Sequence, residues 1–177
     1  MKTLYIVRHA KSSWDFPDLK DEERPIIEKG IHNTNLMVKE LVRREVMVDK
    51  MICSKARRTI ETAKILARGL NYPIEKIESN KVLYTSDVDD LYEIIRETED
   101  DIYNLMIIGH NPTLTQFVNR FLTEEIEILN TSAVLAFEFE TKNWFDFEKS
   151  TCETKFMLSR NYYLNHEFNN TISPFCK

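Results

Sequence analysis

The chain has 177 residues, 42% of them hydrophobic, and a formal net charge of −5 at pH 7. This length suits one domain with a sizeable core, placed here over residues 1–177, and the negative charge argues against a general nucleic-acid binder, which would need a basic face. The sequence has no apolar run of the roughly 18 residues that span a membrane and opens without a signal-peptide pattern, so we expect no membrane segment and a cytoplasmic protein.

Apolar patterning alternates strand-like and helix-like stretches along the chain, which predicts an α/β sandwich. Between the first strand and the first helix, the polar, proline-containing stretch 15–23 is predicted to be a loop. The tail, residues 161–177, is rich in Asn, Tyr and Phe and receives no assigned role. Strands are predicted at residues 2–8, 49–53, 75–79, 104–109, 133–140 and 153–160, and helices at 28–44, 56–69, 87–97 and 112–122. The predicted inward stripe of the first helix is Ile31, Met37, Val38, Leu41 and Val42.

Two histidines follow apolar strands at widely separated points in the chain. Arg8 and His9 end the first strand, and His110 follows the strand at 104–109. In an open parallel sheet the carboxyl ends of the strands line the crevice where ligands bind, so these residues could converge on one pocket. The pattern predicts a phosphate site at this edge of the sheet.

A third segment, residues 51–63, has the pattern of a strand, a turn and a helix. Arg58 is predicted in the first turn of that helix, where backbone N–H groups attract anions. An arginine is electrostatically out of place there unless an anion or a carboxylate faces it. Arg57 points about 100° away on the helix and is predicted to be solvated. The position of Arg58 therefore suggests a bound oxyanion.

Four blocks in this order resemble the histidine phosphatase superfamily, and within it the SixA-type phosphohistidine phosphatases. They cover residues 8–14, 24–30, 54–63 and 109–114. Ala10 stands where the broader superfamily has glycine, which is a feature of the SixA-like subgroup, and Lys55 stands where a proline is common after the serine. The resemblance selects Arg58 because the family places its arginine four residues after the serine, here Ser54. It implies a three-layer α/β sandwich of the phosphoglycerate mutase-like kind, with a mostly parallel central sheet flanked by helices.

The resemblance also implies a covalent mechanism without a metal or other cofactor. His9 would attack phosphorus and become transiently phosphorylated, and water would then release phosphate. Arg8, Arg58 and His110 would bind the phosphoryl oxygens, which makes His9, Arg8, Arg58 and His110 the predicted catalytic set. The physical chemistry agrees, because a neutral imidazole is a nucleophile near neutral pH and the arginine fork matches oxyanion geometry.

A departure from the family pattern bears on the substrate. Mutases and many ester phosphatases of the superfamily carry a glutamate as general acid after the third strand, whereas residues 82–87 here contain no glutamate. The leaving imidazole of phosphohistidine needs a dedicated acid less than an alkoxide does, so we expect activity on protein phosphohistidine. Asp87, Asp89 and Asp90 remain possible acids, although capping and first-turn charge of the following helix is the plainer interpretation.

Several alternatives stay open at this stage. The chain could be a small-molecule phosphomonoester phosphatase, or a phosphate-binding module without turnover. Its expected partner is accordingly a phosphorylated protein domain or a small phosphorylated substrate. The loop at 15–23 could shape the mouth with Trp14 as a wall, or merely connect two elements. Residues 24–30 are interpreted as a helix lead-in fixed by Pro25. As the alternative to a phosphate-binding role, His110 could simply precede a helix beginning near Pro112, with Asn111 as its cap.

Charge and cysteine usage complete the expectations. Basic residues at the predicted sheet edge would make a positive mouth on an acidic body. The three cysteines are too few and scattered for a disulfide framework and lack metal-ligand spacing. Cys53 adjoins Ser54 but is interpreted as a buried strand-end thiol rather than a nucleophile. The residues assigned to the mouth are Arg8, Lys11, Lys55, Arg57 and Arg58.

Overall fold

A six-stranded sheet forms the centre of the computed structural model, which describes residues 1–15 and 18–160. The strand order is β3-β2-β4-β1-β5-β6. The pairings β1–β4, β2–β4 and β2–β3 are parallel, and the pairings β1–β5 and β5–β6 are antiparallel. The strands are β1 (Lys2–Arg8), β2 (Lys50–Ser54), β3 (Glu78–Asn80), β4 (Asn104–Gly109), β5 (Val134–Phe139) and β6 (Cys152–Leu158).

Helices cover both faces of this sheet, which confirms the predicted three-layer α/β architecture. On one face, Met37 and Leu41 of the first helix and Leu66 of the second pack against the sheet. On the other face, Leu91 and Phe117 belong to a separate apolar cluster. The helices are α1 (Glu28–Arg43), α2 (Arg57–Gly69), α3 (Val82–Thr85), α4 (Val88–Arg96) and α5 (Thr113–Asn119).

The element boundaries differ from prediction mainly where short turns intervene. A 3-10 turn at Ile74–Lys76 follows Pro73, so β3 begins only at Glu78. The helix predicted up to residue 122 ends at Asn119. The four-residue helix α3 was not predicted, because so short a segment carries no periodic apolar signal.

The apolar face of α1 is narrower than predicted. Met37 and Leu41 are buried and Val38 packs at the edge of the cluster, but Ile31 and Val42 are 39% and 53% exposed. The prediction that Ile31 and Val42 belong to the inward stripe was wrong, because the residues buried in the N-terminal part of α1 are Gly30, Asn33 and Thr34. Small and polar residues thus form the part of α1 nearest the loop that follows β1.

The fold brings the carboxyl ends of β1, β2 and β4 to one edge. Arg8 is in register with Gly109, and Cys53, one residue before the end of β2, is in register with Ile108. The loops after these three parallel strands therefore start side by side. In the described part of the chain, no helix is both long and apolar enough to cross a bilayer. The tail 161–177 lies outside the described residues.

Candidate active site

The four residues predicted from sequence meet at this edge. The imidazole rings of His9 and His110 have their centroids 5.0 Å apart. Arg58 Nη2 lies 3.4 Å from His110 Nδ1. Arg8 directly precedes His9 at the end of β1. Residues more than a hundred positions apart in the chain thus surround one small space because β1 and β4 are adjacent and parallel.

His9 is held with one ring nitrogen engaged. Its Nδ1 lies 2.7 Å from the carbonyl oxygen of Ala10, which only accepts hydrogen bonds, so Nδ1 carries the proton and Nε2 has the free electron pair. Burial, and then the positive charges of Arg58, Arg8 and Arg24, lower the pKa of His9 to about 4, although the bond to Ala10 opposes them. At neutral pH, His9 is therefore uncharged.

Arg8 is anchored at one end of its guanidinium. Nη1 donates to the carbonyl of Leu129 at 2.8 Å. Nε is buried and has no hydrogen-bond partner among the residues that the structure describes. Since a buried donor without a partner is costly, a bound oxyanion would satisfy a group that the protein itself leaves unpaired.

Arg58, rather than Arg57, lies with the other site residues. It occupies the first turn of α2, and its side chain is 8% exposed. Its guanidinium donates from Nη1 to the backbone oxygen of Asp21 and from Nη2 to a carboxylate oxygen of the same residue. Arg57 is exposed and pairs with Glu61 one turn along the helix. A carboxylate therefore faces Arg58, as expected for a cation at a helix N-terminus.

His110 is oriented from β2 and from α2. Its Nε2 lies 2.9 Å from the hydroxyl of Ser54, which is fully buried. Since the guanidinium of Arg58 can only donate, Nδ1 accepts and Nε2 carries the proton toward Ser54. Burial, followed by the charges of His9 and Arg58, lowers the pKa of His110 to about 3. The Tyr84 ring approaches His110 edge-on, with centroids 5.7 Å apart.

Sequence reasoning missed two residues of this site, Asp21 and Arg24. Asp21 lies on a 3-10 turn within the stretch predicted as an irregular loop. Arg24 is buried and donates to the Ser13 carbonyl, the Ser12 hydroxyl and the Asp21 carboxylate. A cation directly after three acidic residues was the available signal, but a run of acidic residues is usually solvated and indicates a loop.

Residues 24–30 do more than lead into α1. The backbone N–H groups of Ser13 and Ile27 donate to Pro25 and Lys11 respectively, which joins this block to the segment after His9. A Cβ at Gly30 would lie 2.4 Å from the carbonyl oxygen of Lys11. The glycine is therefore required for this close approach of two backbones. The block forms a clamp on the loop that carries His9.

Other expectations at this edge need correction. The mouth is not a bare positive surface, since Lys55 pairs with Glu22, Arg57 with Glu61 and Arg58 with Asp21.

The Asn111 side chain donates to the carbonyl of Leu129 and does not cap α5. Trp14 is 78% exposed, and the guanidinium of Arg24 stacks 3.2 Å from its ring centroid. The interpretation of Cys53 as a buried strand-end thiol is confirmed, since Cys53 is buried and burial raises the pKa of its thiol to about 11.

The aspartates considered as general acids cap α4 or lie in its first turn. Asp87 accepts from the backbone N–H of Asp90, and Asp90 accepts in turn from that of Asp87, which forms a capping box. Asp87, Asp89 and Asp90 are all exposed. The capping interpretation is confirmed.

Comparison with known proteins points to one superfamily. Residues 4–80 match the family model of the histidine phosphatase superfamily (branch 1). An uncharacterised protein of Mycobacterium leprae is 30% identical over 112 residues, which cover 62% of this chain and 66% of that protein. The chain thus spans slightly less than two thirds of that relative.

Solved structures share the fold at low sequence identity. A protein histidine phosphatase SixA complexed with tungstate superimposes with a TM-score of 0.75 at 21% identity, covering 93% of this chain and 99% of that one. A mycobacterial glucosyl-3-phosphoglycerate phosphatase superimposes with a TM-score of 0.63 at 11% identity, covering 88% and 98%. At such identities the likeness establishes the fold.

Proposed function

We propose that this chain is a phosphatase of the histidine phosphatase superfamily, whose family model matches residues 4–80, and that His9 carries the phosphoryl group as a covalent intermediate. The observation that carries the proposal is the placement of a neutral His9, with its Nε2 electron pair free, among two arginines and a second histidine. This set provides a nucleophile and its charge stabilisation with no contribution from a metal.

The reaction has two displacements at phosphorus. In the first, the electron pair of His9 Nε2 forms an N–P bond while the bond from phosphorus to the leaving group breaks, and the leaving group takes up a proton. In the second, water attacks phosphorus, the N–P bond breaks and inorganic phosphate leaves with His9 neutral again. Both steps depend mainly on positioning and on stabilising charge at the equatorial oxygens.

Arg8, Arg58 and His110 would supply that stabilisation. Arg8 Nε is a buried donor that a phosphoryl oxygen would satisfy. Arg58 is fixed beside His110, and a bound dianion would favour the protonated form of His110, which could then donate from Nδ1. Preorganised donors of this kind are each worth about 10²–10³ in rate.

The proposed substrate is phosphohistidine on a protein domain. Residues 82–87, the stretch that corresponds to the superfamily's glutamate in the family resemblance, contain no glutamate, and Tyr84 in this stretch donates from its phenol to Asp21. The pKa of Asp21 is about 2, so this carboxylate holds no proton to give at neutral pH. An imidazole leaving group tolerates this arrangement better than an alkoxide, because its second nitrogen can be protonated from solvent.

Single-turnover kinetics with two substrates tests this proposal. A phosphohistidine peptide and an alkyl phosphomonoester would be compared under identical conditions, with His9→Ala as the control for uncatalysed hydrolysis. We expect faster cleavage of the phosphohistidine peptide by the wild-type protein. Faster cleavage of the alkyl ester would assign the protein to small-molecule phosphomonoester phosphatases, and wild-type rates equal to those of His9→Ala would leave a phosphate-binding module.

A further inference from the structure

We propose that Asp21 is a positioning residue for phosphoryl transfer, which fixes the guanidinium of Arg58 beside His110 and does not deliver a proton to the leaving group. The inference rests on the proposed phosphatase function and adds a residue from a loop outside the four-residue site.

Asp21 contacts Arg58 at two points. Its backbone oxygen accepts from Nη1 at 2.6 Å, and its carboxylate accepts from Nη2 at 2.9 Å. Two hydrogen bonds to two nitrogens of one planar group fix both its position and its plane. In this orientation Nη2 lies 3.4 Å from His110 Nδ1. The contact with Asp21 therefore determines where Arg58 stands relative to the second histidine.

Arg58 retains enough donors for a phosphoryl group while Asp21 stays bound. A guanidinium has five N–H groups, and the two contacts with Asp21 use one on each terminal nitrogen. Of the other three, one on Nη2 is directed to His110 Nδ1, which leaves the second hydrogen of Nη1 and that of Nε. Asp21 and the phosphoryl group of the substrate can thus bind Arg58 at the same time. Asp21 therefore need not leave Arg58 when the substrate binds.

Asp21 is itself fixed from two further directions. Arg24, which is buried, donates to its other carboxylate oxygen at 2.8 Å. The hydroxyl of Tyr84 donates at 2.9 Å to the oxygen that also accepts from Arg58. Although the Asp21 side chain is 48% exposed, three donors from three separate segments hold it. Such a carboxylate is a preorganised part of the site.

The same contacts make Asp21 a poor acid. Burial opposes its ionisation, but the hydrogen bonds from Arg24, Arg58 and Tyr84 outweigh that effect and lower its pKa to about 2. Protonated Asp21 is accordingly a negligible species at pH 7. Asp21 therefore differs from a glutamate general acid, which must hold a proton at the pH of the reaction.

The test compares Asp21→Asn and Asp21→Glu with wild type on a series of aryl phosphates whose leaving groups differ in pKa. Glu23→Gln, an exposed residue of the same turn, is the matched control. For a positioning residue, Asp21→Asn lowers kcat at least about tenfold by the same factor for every leaving group. Asp21→Glu recovers part of the loss, and Glu23→Gln behaves as wild type.

The other outcomes would each overturn the proposal. A loss that grows with leaving-group pKa would make Asp21 a general acid. Unchanged kcat with tighter binding of inorganic phosphate would make it a competitor for Arg58. Unchanged kcat and phosphate binding would leave it without a role. Thermal unfolding of each variant identifies misfolding, in which case Asp21→Glu provides the decisive comparison.

The design also distinguishes this inference from the proposed function. If wild type turns over substrate and Asp21→Asn has the same kcat, the proposed role of Asp21 is refuted and the phosphatase function stands. Absence of turnover by wild type on every substrate would remove the phosphatase function, and the role of Asp21 with it.

Discussion

His9 owes its predicted reactivity to its surroundings rather than to its residue type alone. The hydrogen bond to Ala10 selects the tautomer, and burial near three arginines disfavours the imidazolium. A folded-state pKa below the ordinary value means that the unfolded chain takes up this proton first. Folding stability contributed by a neutral His9 is therefore lost as the pH falls from about 6.5 toward about 4.

Nitrogen-15 NMR of the imidazole groups measures the protonation state and the tautomer of His9 directly. We expect the His9 ring to remain neutral, with the proton on Nδ1, as the pH is lowered from 7.5 to about 5, since its pKa is about 4. The spectrum of His9→Ala identifies the His9 signals. A His9 ring that becomes protonated at about pH 6.5, the ordinary pKa of a histidine, would contradict this account of His9.

The adjacent pair Arg57 and Arg58 offers a matched comparison on one helix. Because Arg58 is buried in the site and Arg57 pairs with Glu61 on the surface, we expect only one of the two charges to matter. Arg58→Ala should lower kcat/KM by about 10²–10³, and Arg57→Ala should leave it nearly unchanged. Steady-state kinetics of both variants checks this. Equal losses would indicate long-range attraction of substrate in place of a direct contact.

At the residue scale, sequence reasoning identified the groups carried by regular elements. His9, Arg58 and His110 stand next to strands or in a first helical turn, where position follows from pattern. Asp21 was missed because its 3-10 turn has no periodic signal, and because two of its three side-chain partners, Arg58 and Tyr84, lie 37 and 63 residues away in the chain. Contacts between an irregular loop and distant elements depend on packing that local patterning does not contain.

At the scale of elements, the clamp formed by residues 24–30 connects stability to the site. The segment after His9 is held by backbone hydrogen bonds from Ser13 to Pro25 and from Ile27 to Lys11. Gly30 allows the start of α1 to approach Lys11 closely. The interpretation of this block as a lead-in was incomplete, since Pro25 and the helix start could be read locally but the backbone contact could not.

Gly30→Ala tests the clamp. The added Cβ would lie 2.4 Å from a backbone oxygen, so the loop after β1 must shift. We expect a loss of about 1–3 kcal/mol in the free energy of unfolding, together with reduced kcat. Lys29→Ala, at an exposed position of the same helix, is the control. Denaturant unfolding and kinetics measure both effects, and a variant as stable and active as wild type would refute the requirement for glycine.

At the scale of the whole molecule, topology makes the site possible. Placing β4 between β1 and β2 brings three carboxyl strand ends together, and helices on both faces bury the sheet. Sequence patterning predicted the alternation of elements and nearly all their positions. The strand order and the antiparallel pairings of β5 with β1 and β6 are tertiary features, which a list of elements leaves undetermined. The family resemblance supplied the mostly parallel sheet.

The central claim is that His9 carries the phosphoryl group, and intact-protein mass spectrometry tests it most directly. Wild type and His9→Ala would be incubated briefly with phosphoramidate, quenched in alkali and digested to locate the modified residue. The account predicts one phosphoryl group on His9, labile in acid and absent from His9→Ala, with phosphate released on longer incubation. Phosphate release without an adduct, or an equal adduct on His9→Ala, would contradict it.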